Sequence, residues 1–372
     1  MTERLSQLLH DEVAELNPVP PDAAHVLAEG RRLRRRHRVS TGLAAAAVVA
    51  VVGAAGGFAL AQNDSGDASP VTAEGDAPVV FGVGSDVYVD DAVATVPDTI
   101  HSLHYTSDGV LVRSNPNGGA SDGSGPESLT LVRHDGTTVD LGTIPEGVGP
   151  ATDPEESVYV LAVARGDGFV AVVREVETGE TVDEVPLPDL PPSYWEVPPL
   201  SLDGDTLYVG YKTETVAVDI ATDEQRTVDG LGGGMPIVAG GNTGTTTRSG
   251  DFVVVDTTTG ETLLTVETKG GYGWGTLSPD GRYLKMNNSE VTMEQGDIPD
   301  TFRVFDVNSG ELVELDGDGY GWGWTADSEL MRVAGDTVTT CDPGSGECAE
   351  SPAPTTVGRD AHLRLAGLTY ES

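Results

Sequence analysis

The sequence predicts an all-β fold of repeated four-stranded units, on three observations. Val and Thr are frequent, and Gly (48 residues) and Pro (23) punctuate the chain at short intervals, the composition of many short strands joined by tight turns. A turn flanked by two β runs recurs six times: VVREVETGETVDEVPL (172–187), VAVDIATDEQRTV (216–228), VVVDTTTGETLLTV (253–266), RVFDVNSGELVEL (303–315), TTCDPGSGECAE (339–350) and a weaker copy, LTLVRHDGTTVDLG (129–142). A second turn precedes several of these, in TSDGVLVRS (106–114), SLDGDTLYVG (201–210), SPDGRYLKM (278–286) and TADSELMRV (325–333). Gly supplies the positive φ such turns need, and Asp or Ser bonds the local backbone.

The N-terminal elements are of another kind. In residues 1–40, Leu5, Leu8, Leu9, Val13 and Leu16 follow helical spacing, Pro18 to Pro21 interrupt it, and Asp22 can cap a second helix that runs through RRLRRRHR (31–38). Residues 41–61, TGLAAAAVVAVVGAAGGFALA, carry no charge. As a helix they extend about 31 Å, enough to span a bilayer core. Arginines precede the span and no Lys or Arg follows it until Arg113. The N-terminus is therefore read as cytoplasmic and the C-terminal part as extracytoplasmic. Ala59-Leu60-Ala61 fits a cleavage site, but the long segment before the apolar run favours a retained signal anchor. Residues 62–78, QNDSGDASPVTAEGDAP, read as a flexible linker.

Residues 79–372 carry the repeats. Aligned on Gly136, Gly179, Asp223, Gly260, Gly310 and Gly346, the units step by 43, 44, 37, 50 and 36 residues. Four strands in roughly 42 residues is the period of a β-propeller blade. Six outer hairpins are visible, and strand-like runs remain at both ends, in 78–96 and 355–368. A ring must close or expose sheet edges, and joining those ends in one composite blade closes a ring of seven; eight and six are the alternative counts. SPDGRYL followed by VFDVNSGEL resembles WD-repeat and YVTN-type propellers of bacterial extracytoplasmic proteins, a likeness that covers 79–372 and implies fold rather than activity. The arm and span resemble the inner part of one-pass regulators, including actinobacterial anti-sigma factors, but the arm lacks the Cys of the zinc-binding members. A surface-lying membrane anchor is the plainer reading of its Leu residues.

GYGWG occurs twice, at 271–275 and 319–323. In the blade register both copies fall on an innermost strand, as does YWEVPPLSLDG from Tyr194. Strand alternation places Tyr272 and Trp274 on one face, and Tyr320, Trp322 and Trp324 on one face of the next blade, with glycines opposite. The rings of one blade are expected to fill the slot left by Gly319, Gly321 and Gly323 of its neighbour. The functional counterpart is an aromatic ligand site of Tyr194, Trp195, Tyr272, Trp274, Tyr320, Trp322 and Trp324 at the channel mouth.

Cys341 and Cys348, the only cysteines, flank one hairpin turn and are expected to form a disulfide. Asp316 and Asp318, like Asp203 and Asp205, read as turn carboxylates rather than a calcium loop, and His101 and His104 as surface or packing histidines. No metal or cofactor motif is present. Residues 1–38 carry a net charge of +1, seven Arg against six acids, and the remainder −40, with 14 Lys/Arg against 54 acids. That excess repels phosphate backbones and argues against nucleic-acid binding. The chain thus reads as a single-pass membrane protein whose propeller is a non-catalytic binding or sensing module for a protein or glycan. Its alternatives are an axial-site hydrolase or lyase acting on a carbohydrate or lactone, and a transmembrane regulator whose residues 1–30 contact a cytoplasmic protein such as a sigma factor.

Overall fold

The computed structural model describes residues 79–117, 125–189, 197–229, 231, 236–247, 250–268, 274–287, 301–358 and 361–367. Residues 1–40, 41–61 and 62–78, read above as an arm, a membrane span and a linker, lie outside the described residues. Among the described residues, no helix is long and apolar enough to cross a membrane.

The strands form seven sheets, six of four strands and one of three, all antiparallel within a sheet. Blade 1 joins β1 (Val80–Val83), β2 (Asp86–Val89) and β3 (Ala92–Thr95) to the last strand, β27 (Leu363–Leu365). Blade 2 is β4 (Thr99–Thr106), β5 (Gly109–Asn115), β6 (Glu127–Arg133) and β7 (Thr138–Ile144); blade 3 is β8 (Ala151–Thr152), β9 (Val158–Arg165), β10 (Gly168–Glu175) and β11 (Thr181–Pro186). Blade 4 is β12 (Leu200–Asp203), β13 (Thr206–Gly210), β14 (Thr215–Asp219) and β15 (Gln225–Thr227); blade 5 is β16 (Val238–Ala239), β17 (Asn242–Thr246), β18 (Phe252–Asp256) and β19 (Thr262–Val266). Blade 6 is β20 (Trp274–Leu277), β21 (Tyr283–Asn287), β22 (Thr301–Asp306) and β23 (Leu312–Asp316). Blade 7 has β24 (Gly323–Trp324), β25 (Leu330–Cys341) and β26 (Cys348–Val357). Its long β25 serves as two strands: Leu330 and Met331 pair with β24, residues 337–341 pair with β26, and Gly335, with φ 63°, lies between.

The first strands of successive blades touch, β27 with β4, β4 with β8, β8 with β12 and β12 with β16, so they surround the axis. Antiparallel order then fixes two faces. One face, the connector face, carries the links between blades and the loops between second and third strands. The other, the turn face, carries both kinds of tight turn. Apolar clusters fill the gaps between neighbouring sheets, as between blades 3 and 4, where Val160, Ala171 and Val173 meet Leu207, Val209 and Val218.

The recurrent outer turn is built the same way in blades 4 to 7. Asp256 Oδ1 accepts from the Thr258 and Thr259 amides at 2.9 and 2.7 Å and from Thr259 Oγ1 at 3.0 Å. Thr259 Oγ1 in turn accepts from Glu261 N at 3.2 Å, and Gly260, at φ 72°, donates to Asp256 O at 2.9 Å. Asp219 with Thr222, Asp306 with Ser309 and Asp342 with Ser345 repeat this arrangement. The motif is therefore D-x-x-T/S-G-E. Its leading Asp caps the turn through its side chain. Cys341 and Cys348 are disulfide-bonded across the blade 7 copy.

On the turn face the first turns of adjacent blades are stitched together. Asp153 Oδ2 accepts from Gly204 N at 2.7 Å and Asp203 Oδ2 from Gly241 N at 2.9 Å. Between blades 5 and 6 the backbones approach so closely that a Cβ on Gly240 would lie 1.9 Å from Asp280 O, and one on Gly281 2.1 Å from Ala239 O.

Asp223 occupies the glycine position of its turn with φ 57°. Asp223→Gly is expected to stabilise the fold by about 0.5–1 kcal/mol, and Gly260→Ala, at φ 72°, to destabilise it by about 1–2 kcal/mol. Urea unfolding midpoints of the two variants against wild type check both signs.

Candidate functional site

The second GYGWG copy is where the structure departs most from strand alternation. Gly319–Gly321 forms a 3-10 turn, and the innermost strand of blade 7 is only Gly323–Trp324. Asp318 caps the turn, its Oδ1 accepting from Tyr320 N at 3.1 Å. Trp322 and Trp324 are buried toward blade 6: Trp322 lies 5.5 Å from Phe302, and Trp324 Nε1 donates to Thr276 Oγ1 at 3.3 Å. Tyr320 instead points outward, 62% exposed. Gly323 faces the other way from the expected slot. A Cβ there would meet Ala366 O at 2.8 Å and Leu365 at 3.0 Å in the closing segment of blade 1, so its missing side chain makes room for that segment and not for rings of blade 6.

Lys285, on the second strand of blade 6, holds this turn. It is 1% exposed, and its Nζ donates to Gly319 O at 2.8 Å and to Trp322 O. Burial pushes its pKa down to about 7, against a smaller opposing effect of Asp318. Tyr194, Trp195, Tyr272 and the side chain of Trp274 lie outside the described residues.

Among the described residues, a dense polar cluster sits on blade 2 at the connector-face end. It combines His101 and Ser102 of β4, Arg113 and Asn115 of β5 and Glu127 of β6. A register shift between Ile100 and Ser102 carries His101 into it. Glu127 is 0% exposed; its Oε1 accepts from Asn115 Nδ2 at 3.1 Å and lies 2.8 Å from His101 Nδ1, and its Oε2 accepts from Arg113 Nε at 2.7 Å. Burial raises the Glu127 carboxyl, but His101, Arg113 and Asn115 together outweigh it and hold the group below its usual range. Ser102 Oγ is 2.8 Å from His104 Nε2. Burial, then the Arg113 charge, pushes the His104 imidazole down to about 3. Two side chains of the closing segment reach the same strand: His362 Nε2, just before β27, lies 3.0 Å from Ile100 O, and Arg364 Nε, within β27, donates to His101 O at 3.0 Å.

Sequence reading left His101 and His104 as a bare pair and passed over Arg113 and Glu127. Their signal is present: Arg113 is the one charged residue of the run GVLVRSN, and Glu127 opens the apolar run ESLTLV. A separate open cleft of about 380 Å³ lies on the turn face between blades 6 and 7, lined by Arg282, Tyr283, Asp306, Val313, Asp342 and Ser345 among others. The 3.1 Å Arg282–Asp306 ion pair lies along its wall.

No protein-family model matches the chain, and no curated protein matches it. Among solved structures, a chain in the crystal structure of the mitotic checkpoint complex aligns with a TM-score of 0.45 at 13% identity, covering 80% of this chain and 88% of its own. A chain of Kuenenia stuttgartiensis hydrazine synthase aligns with a TM-score of 0.42 at 16% identity, covering 66% and 76%. At these scores the matches carry no functional argument.

Two predictions follow from the buried charges. Glu127→Ala leaves Arg113 buried without its carboxylate and is expected to destabilise the fold by about 3–5 kcal/mol, measured by urea unfolding at neutral pH. The pH dependence has two limbs. His104 and Glu127 both have lowered folded pKa values, so their contribution is complete above the unfolded values, near 6.5 and 4.5, and is lost as pH falls below them. The lowered pKa of Lys285 means that the unfolded chain binds more protons between about 7 and 10.5, so stability rises with pH across that window. His104→Gln should flatten the acid limb and Lys285→Met the alkaline one, in unfolding midpoints taken from pH 4 to 10.

Proposed function

We propose that the propeller is a non-catalytic binding module for a protein partner, displayed outside the cytoplasmic membrane by the 41–61 span. One observation carries the non-catalytic part. In a buried cluster of titratable side chains on blade 2, both oxygens of Glu127 are engaged internally by His101, Arg113 and Asn115, and the carboxylate has no exposure. Such a network fixes the strands of its blade to one another and presents no reacting group to solvent. A closed disc offers a broad, rigid face on which connectors of varied length meet a partner. Glycine and β-branched strands supply the scaffold, and the exposed Tyr320 on the connector face supplies a contact residue.

The rival reading is an axial enzyme, and the Ser102–His104 pair favours it, since 2.8 Å is proton-transfer distance on an innermost strand. The electrostatics oppose it. A general base works best with a pKa near the working pH, and that of His104 is pushed down to about 3.

The full chain in detergent, applied to protein and glycan arrays and assayed against p-nitrophenyl esters, separates these readings. Selective capture by protein features, with no ester turnover that depends on Ser102, is expected. Turnover abolished by Ser102→Ala, or binding confined to glycans, would overturn the proposal.

A further inference from the structure

We propose that Tyr320 is the anchor of the docking surface, that Lys285 is the residue that positions it, and that the partner presents an arginine-bearing segment to it. This rests on the protein-binding reading above and adds to it the contact residue and the partner's chemistry.

The first argument is the cost of the arrangement. An ammonium group buried at 1% exposure, with backbone carbonyls as its hydrogen-bond partners, is an expensive way to fill space between two sheets. The neighbouring positions on the same face, Phe302 and Val304, are apolar and packed against Trp322 and Trp324. An aliphatic side chain at 285 would continue that core at lower cost. What the lysine provides is a grip on the carbonyls of Gly319 and Trp322, on either side of Tyr320. Asp318 Oδ1 holds the Tyr320 amide, Gly321 N donates to Asp318 O at 3.0 Å, and the buried Trp322 indole fixes the exit of the turn. A turn pinned at both ends thus carries one fully projecting ring.

The second argument is what the ring is suited to bind. Among the described residues the exposed large apolar side chains are Val93, Val182, Leu312 and Tyr320. Tyr320 is the aromatic member, and it sits on the connector face. A tyrosine ring on a pinned backbone has few torsions left to order on binding, the property that makes Tyr a common anchor. Asp316 and Asp318 precede it, neither in an ion pair with a described residue, and Asp316 is exposed. Arg332 is nearby, with its guanidinium 6.0 Å from the Trp322 ring centre. Beyond residue 38 the chain carries 54 acidic against 14 basic residues, a field that draws cationic segments and repels acidic ones. An incoming guanidinium can lie flat on Tyr320 while its N–H fork reaches a turn carboxylate. A lysine ammonium supplies neither the plane nor the fork.

The test uses the full chain in detergent at physiological salt, with a fluorescent Gly-Arg repeat peptide as probe and its lysine and citrulline counterparts as controls. The arginine peptide is expected to bind tightest. Tyr320→Ala should weaken it about tenfold, the scale of a partly desolvated cation–π contact, while Tyr320→Phe stays within about twofold. Lys285→Met should weaken it as Tyr320→Ala does, without a matching fall in the thermal midpoint, which separates positioning from folding. If Lys285→Met fails to fold, Lys285→Arg and the Tyr320 pair decide. Absence of binding, equal affinity for the lysine peptide, or wild-type affinity in Tyr320→Ala overturns the inference. A protein captured on the arrays that binds Tyr320→Ala as well as wild type leaves the binding module standing and removes the anchor alone.

Discussion

Everything in this fold depends on three residues of β27 finding three of β1. Phe81 pairs with Leu365, Gly82 with Arg364 and Val83 with Leu363. The partners lie at opposite ends of the repeat region, and bringing such distant residues together costs about 5 kcal/mol of loop-closure entropy by the logarithmic law, before any constant. Three strand pairs do not offset that alone. The rest comes from the apolar cluster around them, where Phe81, Val87 and Val89 of blade 1 meet Met331, Val333, Val338 and Val357 of blade 7 and Leu103, Tyr105 and Val110 of blade 2. His362 and Arg364 add hydrogen-bonding contacts to β4 carbonyls, so the closing segment is held to both neighbours. Once closed, the ring covers the faces of its first and last blades, leaves only the short outer edges of the blades, and starts every first strand on the same face.

Seven similar sheets raise a second problem, because similar strands can pair in the wrong register. Within blade 2 a polar network answers it physically. Glu127, Arg113, His101 and Asn115 satisfy one another only when β4, β5 and β6 are in this register, with the β4 bulge in place. In any other pairing a carboxylate and a guanidinium would be buried without partners, at a cost of several kcal/mol. The stitches on the turn face act similarly at smaller scale. Asp153 and Asp203 each reach the turn of the following blade, so a blade is recognised by its neighbour as well as by its own core.

Much of the architecture was legible because its chemistry is local. A turn that needs positive φ demands Gly or Asp at one position, and an Asp-capped turn demands an acceptor three residues before a hydroxyl, so the repeat survives in the letters. The blade count followed from the same turns plus the rule that a ring must close. The leading Asp of the turn escaped notice because Gly marks the motif more loudly. The polar network escaped for a different reason: its members come from three strands, and the bulge that carries His101 inward breaks the alternation on which face assignments rest.

The two GYGWG copies show the limit of such reading most directly. Their letters are identical, yet Trp274 and Gly275 of the first lie in β20, whereas Trp322 of the second lies between a 3-10 turn and its strand, Gly323–Trp324. What separates them lies outside the motif. Asp318 supplies a carboxylate that caps the Tyr320 amide, and Lys285 reaches from the previous blade to hold the carbonyls on either side. A short glycine-rich segment has little conformational preference of its own. Its shape is therefore decided by whichever neighbour offers the better hydrogen bonds. In the second copy, that neighbour is a lysine on the adjacent sheet. The second pentapeptide and the residue after it yield two inward tryptophans and one outward ring, because the strand pattern holds for Trp322 and Trp324 and is overridden at Tyr320.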